Sequence, residues 1–476
     1  MAQPSVTKHD PIIVVGAGIF GLSTAIHLAQ RGYDDVTIFD KQPYHKSLYS
    51  YFNGCDAASA GARPDIWGHP ALQEWNAWND EIATGHDLPP GMTKADRVFI
   101  NNSHLTLSDE AELPEFERHS VVNTARDGQE PTQLVTNDPN DEALAVAKGR
   151  KYCMDPFRRA QRGLNNVGLL DTIGGTAIAD KACRFALYKS QRLGVKSILG
   201  AEAGCLETFA YDGGHVAGIK TRDGNLHTAK LIILACGGWT PSLLPQLDGL
   251  CETTAGSVAL LKIPQSSPLY SRFAPENFPS WTFNMRHGAE GGLYGFARDD
   301  DGWLKFGYRG TKYTNPTVQA DGKERSTPVT RWSEEKITTI PQQALRVIRR
   351  FIAENLPELA DEGIDISMTR MCWYTDTFDN HFLIDYVPGT TQSLMVATGG
   401  SGHAFKYLPN IGQWVVDIME GTATDKPAAK MWQWRTLNSI DKPVNVLMEG
   451  KSGTRALKNV ALADEMLSGR ISPQKL

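Results

Sequence analysis

The chain has 476 residues, 41% of them hydrophobic, which is apolar material for two or three domains. With 48 basic and 54 acidic residues its formal charge is −6, which argues against nucleic acid as a partner. No apolar run is long enough to cross a membrane, and seven scattered cysteines without C-x-x-C or zinc spacing suit neither a disulfide framework nor a structural metal.

The first ten residues lack an apolar h-region, so no secretory leader is expected and a reducing compartment is the default. Ile12-Ile13-Val14-Val15 is an unbroken apolar run, the pattern of a buried parallel strand. Gly16-Ala17-Gly18-Ile19-Phe20-Gly21 follows, then a helix over 22–30 with Leu22, Ala25, Ile26 and Ala29 on one face, then a strand Val36-Thr37-Ile38-Phe39 ending in Asp40. This is the dinucleotide fingerprint. Gly16 makes the tight turn, Gly18 admits a pyrophosphate, and Gly21 lets helix and strand pack closely. The helix N-terminus faces the phosphates, and Asp40 stands about 20 residues on, where a carboxylate reaches ribose hydroxyls.

Residues 102–150 are acidic and read as a loop-rich surface excursion. A glycine-rich stretch at 168–175 precedes an amphipathic helix over about 177–192 and a strand near 196–198. Residues 216–221 with the turn Asp223-Gly224 suggest a β-meander, and Leu231 to Ala235 is a second buried strand. From 251 to 368 short β-like stretches carry Trp281, Phe283, Tyr294, Phe296, Trp303, Phe306 and Tyr308, a β-rich substrate domain whose aromatics serve mostly as core; residues 340–355 read as a helix. Residues 394–398 then give another buried strand, followed by the turn Gly399-Gly400-Ser401-Gly402 and a helix over 411–419. The expected domains are interleaved: 1–85 nucleotide-binding, 86–150 substrate, 151–245 nucleotide-binding, 246–368 substrate, 369–476 nucleotide-binding. Glycine turns at both ends of the chain suit FAD, gripped far from its adenosine; NAD is the alternative.

Three stretches narrow this: Trp303 to Tyr308, Met371 to Asp385 through Cys372-Trp373-Tyr374-Thr375-Asp376-Thr377, and Gly399 to Pro409. On these the chain resembles the monomeric sarcosine oxidase family of FAD-dependent amine oxidases, fungal branch, which holds fructosyl amino acid, saccharopine and pipecolate oxidases. The resemblance runs from Ile12 to about Gly421 and is poor from Gly61 to Arg150. It implies an α/β fold, a Rossmann-type, glutathione-reductase-like FAD-binding domain interleaved with a β-rich α+β substrate domain. It also implies FAD held by Val15, Gly16, Gly18, Ile19, Phe20, Gly21, Asp40, Lys41, Ser59, Asp376, Gly400, Gly402, Phe405 and Lys406. Cys372 falls where the family joins FAD as an 8α thioether, a bond that suits a thiolate nucleophile. Lys305 matches the lysine over the flavin that stabilises oxygen as it is reduced. Lys406 matches the lysine that holds the substrate carboxylate.

Two departures bear on the substrate. After Ala60 the family's basic stretch is shortened or lost, with Arg63 a partial replacement. Arg309 stands where fructosyl amino acid oxidases carry a glutamate, which suits a second carboxylate or a polar group and argues against a sugar-selective site. The implied activity is oxidation of a secondary or N-substituted amino acid to an imine, with O2 reduced to H2O2, in a protein acting as a monomer. Catabolic use, biosynthetic use on an N-methylated aromatic unit with imine cyclisation, fructosyl amino acid oxidation, and a non-catalytic flavin- or nucleotide-binding protein all remain open. Gln474-Lys475-Leu476 resembles the peroxisomal Ser-Lys-Leu signal with Gln for Ser; the alternative is an ordinary polar tail on a cytoplasmic protein.

Overall fold

In the computed structural model, residues 6–43, 55–56, 68–125, 131–330, 333, 337–438 and 442–463 are described. Ser59, Arg63 and the C-terminal tripeptide fall outside them. Two sheets dominate. The first has six strands in the order Leu383–Tyr386, Leu394–Thr398, Leu231–Leu234, Ile12–Val15, Val36–Asp40, Lys196–Leu199. All neighbours are parallel except the first pair. Ile12–Val15 is buried along its whole length, as a strand covered on both faces must be. The helices Ile19–Gln30 and Ile411–Met419 cover one face. Their contact is so close that a side-chain carbon at Gly412 would fall on the Ser23 carbonyl.

The second sheet has eight strands in the order Ile366–Thr377, Cys251–Lys262, Trp303–Tyr313, Leu293–Gly295, Ser280–Phe283, His104–Ser108, Val167–Asp171, Gln133–Val135. Helix Gln342–Asn355 packs its buried Leu345, Val347, Ile348 and Phe351 into this sheet's core, where Phe351 stacks on Trp281 at 4.6 Å. The smaller meander of Leu206–Asp212, His215–Thr221 and Leu226–Thr228 forms as the sequence suggests.

The reading of 102–150 as a surface excursion needs correction. His104–Ser108 is a central strand of the large sheet, with Leu105 and Leu107 buried, and helices Glu115–Ala125 and Pro139–Ala147 follow. The alternation in His-Leu-Thr-Leu-Ser carries the strand signal, and the acidic residues lie beyond it. Val167–Asp171 and Ile366–Thr377 also lie in the large sheet.

Candidate functional site

Three neighbouring strands of the large sheet build the site. Cys251–Lys262 pairs antiparallel with Ile366–Thr377, placing Gly256 opposite Cys372, Thr254 opposite Tyr374 and Glu252 opposite Asp376. On its other side it pairs with Trp303–Tyr313, placing Leu260 opposite Lys305 and Val258 opposite Gly307. Directly opposed residues share a face, and alternate residues along a strand return to it. One face therefore carries Lys305, Arg309, Cys372, Tyr374 and Asp376. The other sends Leu304, Phe306, Tyr308, Ala255, Ala259 and Met371 into the core. The sequence pattern thus brings the expected lysine, arginine and cysteine together.

Lys305 is buried, its Nζ 5.0 Å from the Phe296 ring centroid and 5.9 Å from that of Tyr294. Tyr294 lies on Gly307, where any side chain would occupy its ring, and Tyr374 lies against Gly256. The two phenol oxygens meet at 3.3 Å between Lys305 and Arg309. Burial pushes the Tyr374 phenol well above its ordinary range. The sequence gives Tyr294 only a core role and Tyr374 only a place in the Met371 to Asp385 stretch; glycines interrupting long strands were the available signal for more.

Arg309 does not extend to solvent. Its Nη2 donates to the Ser401 carbonyl at 3.1 Å and its Nη1 to the Gly402 carbonyl at 3.4 Å, with the guanidinium 5.7 Å from the Tyr374 ring centroid. Gly402 has φ +73°, and a Cβ there would stand 2.9 Å from Arg309 Nη2. Asp376 accepts from Lys312 Nζ at 2.8 Å and Thr254 Oγ1 at 2.5 Å. Its Oδ1 is buried without a hydrogen-bond partner among the described residues. Burial lowers the affinity of Lys312 for its proton, and Asp376 partly restores it.

The C-terminal glycine turn docks on the same strand as Cys372: Ser401 N–H donates to Thr375 O at 2.9 Å. Gly400 packs beside Ala404 and Phe20. Phe405 and Lys406 follow in a short 3-10 turn, Phe405 stacked on Trp75 at 6.2 Å, the Lys406 Nζ 5.4 Å from the Tyr407 ring centroid. Neither Arg309 nor Lys406 has a carboxylate within 4.0 Å among the described residues.

At the other end, Gly16 takes φ +107° and a Cβ there would strike Ala235 O. A Cβ at Gly21 would strike Gly16 O, so helix and loop pack as the fingerprint requires. At Gly18 a Cβ would meet no described heavy atom within 4 Å. The helix that starts at Ile19 has no side-chain cap on its first N–H groups, which leaves them for an anion. Val15 ends the strand, and Phe20 sits edge-on to Phe382 at 5.5 Å. Asp40 accepts Ala17 N–H and Gln42 N–H, each at 2.7 Å, so it shapes the loop as well as facing it. Burial raises its pKa, and those two bonds oppose the rise. A carboxylate still has lone pairs for a ribose hydroxyl. Lys41 Nζ stands 3.7 Å from the Trp239 ring centroid.

A glycine-cradled, mostly parallel layer joined to a mostly antiparallel layer with cations and a cysteine on one face defines a dinucleotide-dependent oxidoreductase. The chain belongs to the DAO family of FAD-dependent oxidoreductases, whose pattern matches residues 11–418. It is 26% identical over 444 residues to L-saccharopine oxidase of Schizosaccharomyces pombe, covering 89% of this chain and 93% of that protein. It is 27% identical over 464 residues to amino acid oxidase imqH of Aspergillus flavus, covering 86% and 92%. Among solved structures it is similar to the deglycating fructosamine oxidase Amadoriase II of Aspergillus fumigatus, at 26% identity, TM-score 0.68 and 90% coverage of both chains. The open space at Gly18, the uncapped helix and the orphaned Asp376 oxygen fit FAD, the cofactor of the family.

Proposed function

We propose that this FAD-dependent oxidoreductase oxidises an N-substituted α-amino acid at the carbon beside nitrogen, and that the substrate carries a second acidic or polar group. The observation that carries this reading is the pair of cations at the glycine turn, Lys406 and Arg309, neither neutralised by a carboxylate among the described residues. A carboxylate is the natural partner for each. The activities of the relatives, on saccharopine and on amino acids, support the class.

Lys406 holds the α-carboxylate as a point charge at the turn. Arg309, with donors to spare beyond its two carbonyl bonds, receives the second group. Lys305, buried beside Phe296 and Tyr294, is the cation placed where oxygen gains electrons. FAD, when bound, would supply the hydride acceptor and the two-electron reduction of O2 to H2O2. The imine product is released to water and hydrolysed. Cys372, on the site face, is the residue for covalent attachment. The six-stranded layer is the nucleotide-binding unit and the eight-stranded layer the substrate unit.

The test is anaerobic bleaching of the protein's flavin absorbance by sarcosine, L-pipecolate, L-saccharopine, a fructosyl amino acid and N-methyl-tyrosine. Bleaching by saccharopine and loss of it in Arg309→Met are expected. Bleaching by the fructosyl compound overturns the role given to Arg309. Bleaching by N-methyl-tyrosine alone favours an aromatic substrate lying on Tyr294 and Tyr374.

A further inference from the structure

His403 lies in the glycine turn but contacts residues behind it. Its Nε2–H donates to the Asn380 carbonyl at 3.0 Å. Its ring stacks on Phe382, centroids 5.0 Å apart and planes at 20°. Phe382 in turn meets Phe20 of the N-terminal fingerprint edge-on. His403 N–H closes the turn onto Gly400 O at 2.9 Å. Asn380 is itself held: φ is +64°, and its Oδ1 accepts from Asn445 Nδ2 at 2.7 Å, which also donates to Thr377 O at 2.7 Å. Val444 and Asn445 N–H groups both reach Phe378 O. A segment near the C-terminus therefore braces Asn380, Asn380 braces His403, and His403 sits two residues from the Ser401 carbonyl that Arg309 holds.

The ring stays neutral. Burial, with Lys406, Arg309 and Lys312 nearby, pushes His403 down to about 4. A neutral ring stacks on Phe382 without bringing another charge among three cations, and one N–H suffices for Asn380.

We propose that His403 is a positioning residue: braced by Asn380 and Asn445, it fixes the conformation of the 399–402 turn, and through that turn it aims Arg309. The turn needs such a brace. Ser401 holds φ +45°, a left-handed conformation that a residue other than glycine keeps only when its surroundings hold it there. A site residue is only as well placed as the residues behind it. His403 touches neither of the expected anion-binding side chains by any hydrogen bond, so its effect is transmitted by the backbone.

This rests in part on the anion-binding reading of Arg309, and the experiment separates the two. The holoenzyme and the variants His403→Phe, Arg309→Met and the double variant are titrated with acetate as an inert carboxylate, followed by perturbation of the flavin spectrum. Hydrogen exchange of a peptide spanning 398–407 is measured on the same proteins. His403→Phe keeps the stack and loses the donor. It should raise exchange at Ser401 and His403 and weaken acetate binding by about tenfold, within the range for coupled neighbours. In the Arg309→Met background the acetate effect of His403→Phe should vanish. Equal weakening in both backgrounds, or unchanged exchange in 398–407, overturns the proposal. If Arg309→Met alone leaves acetate binding unchanged, the anion-binding reading of Arg309 fails, and the exchange result decides for His403. Asn445→Leu loosens the brace from outside the turn and should shift exchange in the same direction; no shift counts against the brace. His403→Gln, which keeps a donor, should restore part of the acetate affinity that His403→Phe loses.

Discussion

Trp75, fully buried in helix Gly68–Thr84, donates its indole N–H to the backbone carbonyl of Lys406 at 2.8 Å. Its ring also stacks on Phe405, so one side chain from a distant helix fixes two of the three residues of the turn that carries the lysine. Trp75→Phe keeps an aromatic ring and removes the hydrogen bond. Stability should fall by about 0.5–1.5 kcal/mol, since a part-buried hydrogen bond is lost. The KM for a carboxylate substrate should rise more than kcat falls. Denaturant melts and steady-state kinetics check both; an unchanged KM would dissociate Trp75 from Lys406.

Gly307→Ala places a carbon inside the Tyr294 ring. The ring must leave its seat, and the overpacked strand should lose roughly 1–3 kcal/mol. Tyr294 also lies beside Lys305, so flavin reoxidation should slow with the fold intact. The midpoint in guanidinium chloride and stopped-flow reoxidation report the two effects. A variant as stable as the parent would mean that the ring has another seat.

Glu252 is a buried carboxyl opposite Asp376, and burial pushes it up to about 7, with Arg455 opposing in part at 3.5 Å. The folded chain therefore keeps a proton that the unfolded chain releases near pH 4.5. Its stabilising contribution is present below that value and is lost as pH rises through 7. Relative to Glu252→Gln, the parent should lose up to ~3 kcal/mol between about pH 4 and pH 8. Parallel stability curves for the two proteins would remove Glu252 as the cause.

The proposed covalent attachment through Cys372 has a direct readout. Acid-precipitated parent protein should stay yellow, and Cys372→Ser should give a colourless pellet with FAD in the supernatant. A colourless pellet from the parent sinks the thioether.

Lys305→Met should slow reoxidation of the reduced flavin while leaving its reduction by substrate near normal. Rapid mixing with O2 separates the two half-reactions. Unchanged reoxidation assigns Lys305 to packing between Phe296 and Tyr294.

The nucleotide layer was legible in the sequence because its signals are local. A four-residue apolar run, fixed glycine spacing and a terminal Asp40 need no knowledge of distant partners. His104–Ser108 was hidden for the opposite reason. Its neighbours, Ser280–Phe283 and Val167–Asp171, lie far along the chain, and the acidic residues beyond it dominate the local composition. Lys305 and Cys372 could be named from their motifs, but their shared face follows from the register of both strands against Cys251–Lys262. Arg309 announced a charge in the sequence and concealed its direction. Trp75, His403 and the Tyr294–Tyr374 pair owe their places to contacts between segments that no local pattern links.

The strand order of the six-stranded sheet has a further consequence for the life of the chain. Ile12–Val15 is made first, yet one of its neighbours, Leu231–Leu234, emerges some 200 residues later, and the strand beyond that one is Leu394–Thr398. At about 5–20 residues per second a ribosome needs tens of seconds to supply them. During that interval an apolar strand waits with an open edge, which is a task for a chaperone. The two glycine turns that would grip opposite ends of a dinucleotide come together only after Leu394–Thr398 and the turn behind it have been made. Cofactor capture therefore waits for that second turn, and a message truncated before Leu394 yields a polypeptide with the fingerprint but without the grip.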